Sequence, residues 1–66
     1  MSLENIILDF IASRGAVFYS DISKGLGFSA YTVKDVVSLL EKEGKVTIED
    51  KGIAKLVSIA GSSREV

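Results

Sequence analysis

Glycines at positions 15, 27 and 44 each close a segment with the apolar spacing of a helix, which restricts the first two thirds of the chain to short helices packed on one another. In SLENIILDFIASRG, Leu3, Ile6, Ile7, Phe10 and Ile11 recur at i, i+3, i+4, i+7 and i+8. Ser2 is placed to cap the first turn, and Gly15 to take the left-handed conformation that ends it. Leu8 lies off the stripe and either widens the core on one flank or adds to an exposed contact, the flank being preferred. SDISKGLG predicts a second, short helix capped by Ser20, with Ile22 and Leu26 four apart, because Gly25 costs about 1 kcal/mol in a helix interior. In SAYTVKDVVSLLEKEG, Phe28 precedes a capping Ser29, and Val33, Val36, Val37 and Leu40 form the buried stripe. Valine has modest helix propensity, so packing has to hold this third helix.

The rest of the chain carries strand signals. AVFY, between Gly15 and Ser20, reads as one edge strand or an extended connector. In KVTIEDKGIAKLVSIA, Val46 and Ile48 alternate with Thr47 and Glu49, EDKG supplies a tight turn, and a run rich in Ile and Val returns. Lys55 falls in phase with Ile53, Val57 and Ile59, which calls for a bulge or a shifted register. Ile53, Leu56, Val57 and Ala60 also fit a helical period, but the β-branched content favours a strand over a fourth helix. Phe10, Phe18, Leu26 and Phe28 are assigned to the core. GSSREV is small, polar and unpatterned, so residues 1–61 are expected to form the domain and 62–66 a flexible tail.

Composition narrows the chemistry. Sixty-six residues support one core, 47% apolar residues can fill it, and its small size leaves room for a homodimer. With no Cys and no His, disulfides, thiolate zinc sites, thiol nucleophiles and the commonest general base are all lacking. No pair of carboxylates has the apolar, glycine-rich setting of a cleft, and Gly25 and Gly27 lack the downstream Lys-Ser/Thr of a phosphate loop. The expectation is a protein without enzymatic activity, cofactor or metal. No apolar run reaches the roughly 18 residues of a membrane span. MSLENIILDF lacks the basic flank of a secretory signal, so a cytoplasmic location with no membrane partner is expected.

Helix, short strand, helix, glycine turn, longer helix and hairpin occur in an order that resembles the winged helix-turn-helix DNA-binding family. The resemblance covers roughly residues 3–60 and rests on Gly15, on Ile22 with the LGFS turn at 26–29, on Thr32-Val33 and on the LLEKEGKV junction. It implies an α+β, mainly α, fold of three helices with a C-terminal β-hairpin wing. It further implies a transcriptional regulator bound to double-stranded DNA, its third helix (about 29–43) in the major groove and the 45–60 hairpin as wing.

With the valines inward, a step of about 100° per residue turns Tyr31, Asp35, Ser38 and Lys42 outward, with Lys34 on the flank. Tyr31 can stack on a base or donate from its hydroxyl, unless it lids the core margin. Lys34 can reach a guanine edge or a phosphate, unless it and Lys42 are merely a solvated face. Ser29 and Thr32 open the helix; a Ser29 cap is worth about 1 kcal/mol and comes before any phosphate contact by the same N–H groups. Lys45, Lys51 and Lys55 are candidates for the DNA backbone. The net charge of −1 weighs against avid non-specific binding, although residues 24–66 carry seven bases against six acids. Asp35 is repelled by phosphates unless it accepts from a cytosine amine or pairs with Lys34, Lys42 or Arg14. The alternative is a winged helix that docks a protein partner without binding DNA, favoured by the near-neutral charge, Asp35, Leu8 and Leu39.

Overall fold

The computed structural model describes residues 2–60 and runs α1 (Leu3–Arg14), β1 (Ala16–Phe18), α2 (Tyr19–Leu26), α3 (Ala30–Lys42), β2 (Val46–Asp50) and β3 (Lys55–Ile59). The expected tail, 62–66, lies outside the described residues. Ser2 caps α1 as its position predicts, its hydroxyl accepting from the Asn5 N–H at 3.1 Å. Gly15 follows with φ 91° and ψ −68°, a positive-φ conformation that glycine tolerates but not the left-handed helical one. From α1, Ile7 and Ile11 are fully buried, and Leu8 packs on the core as a flank.

The second helix begins two residues earlier than a cap at Ser20 implies, at Tyr19 with Phe18 before it. Tyr19 is helical rather than strand, and Ser20 is not the cap. Asp21 Oδ2 accepts from the Phe18 N–H at 3.0 Å and so satisfies the start of α2 from inside its own first turn. Gly25, a cost by propensity alone, has a packing reason: a Cβ there would lie 2.5 Å from Cζ of Phe10. Ser23 Oγ donates to the Phe28 carbonyl at 2.6 Å and ties α2 to the turn that starts α3. Lys45 N–H donates to the Leu40 carbonyl and Gly44 N–H to that of Glu41, a paired closure that ends α3.

β3 is the centre of a three-stranded antiparallel sheet of order β1-β3-β2. Residues 55–59 are therefore strand, and the fourth-helix alternative is excluded. No bulge is needed: Val46 faces Ile59, Ile48 faces Val57 and Asp50 faces Lys55 in unbroken register. Lys55 is in phase with the apolar residues because the inward face runs off the core toward the wing tip, where it meets Asp50. Ile53 belongs to the turn and is fully exposed. Phe18 is not core either: Val17 takes the inner face, so the period-2 alternation turns Phe18 outward beside Leu56, 37% exposed.

Every element contributes to one core, with Ile7, Ile11, Val17, Ile22, Val33, Val37, Leu40, Val46 and Val57 almost entirely buried. Three helices on a three-stranded sheet make this an α+β, winged-helix-like fold.

Candidate nucleic-acid interface

Two contacts set the start of α3. Thr32 N–H donates to Ser29 Oγ at 3.2 Å, while the Ser29 hydroxyl donates to Thr32 Oγ1 at 3.0 Å. Both side chains are thus engaged in holding the helix start, as a capping role requires. Burial of Val33, Val37 and Leu40 fixes the rotation of the helix, which leaves Tyr31, Lys34, Asp35, Ser38 and Lys42 exposed. Tyr31 is 83% exposed and does not lid the core. Asp35 has no ion pair among the described residues, and Arg14, one of its expected partners, lies over the Phe10 ring at 4.5 Å.

Between α3 and the hairpin runs a shallow cleft with two adjoining hollows. One, of about 420 Å³, is lined by Tyr19, Ser20, Lys34, Ile53, Ala54 and Lys55. The other, of about 310 Å³, is lined by Tyr19, Lys34, Ser38, Glu41, Ile48, Asp50 and Lys55. Lys34, Ser38 and Lys55, predicted separately from sequence, are thus brought together. Lys42 is not among them; it lies about 16 Å along the helix axis from Tyr31 at 1.5 Å per residue. Lys45 pairs with Glu43 at 3.5 Å beyond the helix end, and Lys51 pairs with Glu49 at 3.2 Å near the wing tip. Lys55 reaches Asp50 at 3.6 Å. Exposed pairs of this kind are worth about 0–1 kcal/mol, too little to withhold the lysines from a phosphate.

Sequence reasoning missed Tyr19, Ser20 and Glu41. Glu41 was accessible to it, since 34, 38 and 41 share one helical stripe. Tyr19 and Ser20 were not, because their place depends on how α2 packs against the hairpin. Burial, with the Glu41 charge as a lesser cause, raises the Tyr19 pKa above its ordinary 10.0, so the phenol remains a hydrogen-bond donor at neutral pH. The Gly52 N–H, donating to Asp50 Oδ1 at 2.8 Å, and then the Lys55 charge hold the Asp50 carboxyl below its ordinary 3.8. Among the described residues no helix is long and apolar enough to cross a membrane, and no group of three or more potential metal ligands occurs.

The solved structures include a similar one, the crystal structure of a hypothetical protein from Pyrobaculum spherical virus, with a TM-score of 0.81 and 35% sequence identity. The likeness covers 86% of this chain and 37% of that one, so this chain spans little more than a third of its neighbour's length. No curated protein sequence matches at a significant level. The family model described as FaeA-like protein matches residues 3–59, from the first residue of α1 to the last of β3, and the chain belongs to the FaeA-like protein family.

Proposed function

We propose that the chain is a small cytoplasmic DNA-binding protein, a transcriptional regulator rather than an enzyme, that inserts α3 into the major groove with the β2–β3 hairpin as wing. Membership of the FaeA-like family supports a small helix-turn-helix-type regulator. The observation that carries the reading is the outer side of α3: Tyr31 stands free at its start, and Lys34 shares a cleft with Lys55 of the wing. In this reading Tyr31 and Asp35 meet base edges, Ser29 and Thr32 hold the helix start against the backbone, and Ser38 lies deeper along the groove. Lys34, Lys42, Lys45, Lys51 and Lys55 supply positive charge to the phosphates. Amide-shift mapping with duplex DNA at low salt tests it. Shifts clustered at 29–35 and 50–55 that fade with added salt are expected, and their absence at high DNA concentration defeats the reading.

A second reading, a protein-docking module or homodimer, draws on the full exposure of Ile53 and the balance of lysines and acids around the wing. The same titration separates the two. DNA is preferred because membership of the FaeA-like family supports a helix-turn-helix-type regulator and because Lys34 of α3 and Lys55 of the wing line the same cleft.

A further inference from the structure

We infer that a separate hollow, where α1, β1 and α2 meet, binds a free α-amino acid with an apolar side chain, its carboxylate on Arg14 and Lys24 and its ammonium on Asp21. No residue of α3 or the hairpin lines this hollow. From α2 it takes residues 21, 24 and 25, whereas the cleft beside α3 takes 19 and 20, so the inference does not rest on the DNA reading.

The hollow measures about 380 Å³, within the usual range of small-ligand sites. Arg14, Asp21 and Lys24 all line it, yet none of them enters an ion pair among the described residues. Even Asp21 and Lys24, three apart on one helix, do not close on each other. Asp21 Oδ2 accepts from the Phe18 N–H at 3.0 Å, and Oδ1 is left for a cation. Opposite charges that face one hollow without meeting suit a ligand that carries both signs. A phosphate or a plain carboxylate finds the two cations but is repelled by Asp21.

The rest of the hollow is set in advance. The Arg14 guanidinium lies over the Phe10 ring at 4.5 Å, and a stacked guanidinium keeps its N–H fork available to a carboxylate. Gly25 backs the same ring so closely that a Cβ would stand 2.5 Å from its Cζ, so α2 braces the ring. Phe10 and Ala16 then offer an apolar surface to the ligand side chain. Ala16 also turns its backbone outward. Ala60 N–H donates to the Lys45 carbonyl and Lys51 N–H to that of Ala54, so even-numbered residues of β3 bond to β2 and odd-numbered ones turn to β1. Val57 thus bonds with Val17, and the N–H and C=O of Ala16 point to the free edge of the sheet, beside the hollow. The Phe18 N–H, two residues on, takes the same direction and meets Asp21.

The test is amide-shift titration of the whole chain with three probes: L-leucine, 4-methylpentanoate (leucine without its ammonium) and 3-methylbutylamine (leucine without its carboxylate). All three charged side chains are exposed, so a weak dissociation constant of about 1 mM is expected for leucine, with shifts at 14–17 and 21–25 that saturate. Each single-charge probe is expected to bind at least about fivefold more weakly. Asp21→Asn keeps an oxygen for the Phe18 N–H but removes the charge, and it is expected to reverse the preference so that 4-methylpentanoate binds better than leucine. Arg14→Gln, at the exposed end of α1, is expected to weaken leucine about tenfold and gives a second readout if Asp21→Asn melts early. No saturating shift with leucine overturns the inference. So do shifts that sodium chloride reproduces, wild-type binding of 4-methylpentanoate as tight as that of leucine, or an unchanged leucine affinity in Arg14→Gln.

Discussion

The two sides of α3 are made of the same backbone under opposite constraints. On the inner side Val33, Val37 and Leu40 have no solvent exposure; on the outer side Tyr31 is 83% exposed and its neighbours are charged or hydroxylated. The inner residues determine whether the helix exists, since three valines give it little intrinsic preference. The outer residues contribute little to that and are free to serve a ligand. The aim of the outer side is therefore inherited from packing on the inner one.

The comparison breaks first at Leu40. Leu40→Ala should cost about 2–5 kcal/mol in urea denaturation, enough to unfold much of so small a domain; a loss below about 1 kcal/mol would mean that the inner side is not what holds the helix. Gly25→Ala comes next. The added Cβ must displace the Phe10 ring that packs α1 on α2, and a net loss of about 1–3 kcal/mol is expected despite alanine's better helix propensity. Stabilisation by this change would show that the ring yields freely.

Lys42→Gln sharpens the contrast from the outer side. Stability should move by less than about 0.5 kcal/mol. The salt slope of DNA binding should fall by about 0.9 if this lysine meets a phosphate, with affinity lowered evenly across sequences. A large change in melting temperature would erase the distinction between the two sides. The smallest effect is expected at the wing. The Asp50 carboxyl is held below 3.8 in the folded chain, so its contribution is present above that pH and is lost as pH falls through the lowered value. In an acid titration the amides of 50–55 should shift below pH 3.8, and those of 33–40 should stay in place; simultaneous loss of both would make the wing part of the core's own transition.

Apolar spacing gave the helices because it reports directly which side of a rod avoids water. Ile7, Ile11, Val33, Val37 and Leu40 were legible on that ground alone, and Ser2 and Ser29 because capping is a local bond. Three-residue β1 was read only as strand or connector, since its partner lies far along the chain at 56–58. The same distance hid the outward turn of Phe18. Ser20 lost the capping role because Asp21 reaches back from within the turn, a competition between adjacent residues that propensity does not rank. In the interface, the outward set on α3 followed from geometry, whereas the meeting of Lys34 with Lys55, and of both with Tyr19, arises from tertiary packing.

The sheet order β1-β3-β2 has a bearing on synthesis. Ala16–Phe18 leaves the ribosome early but has no strand to pair with until Lys55–Ile59 arrives, and Val46–Asp50 waits for the same segment. A partly made copy can coil into helices, yet it has no hairpin and no cleft. Unfinished chains therefore cannot compete with complete ones for whatever the finished face grips.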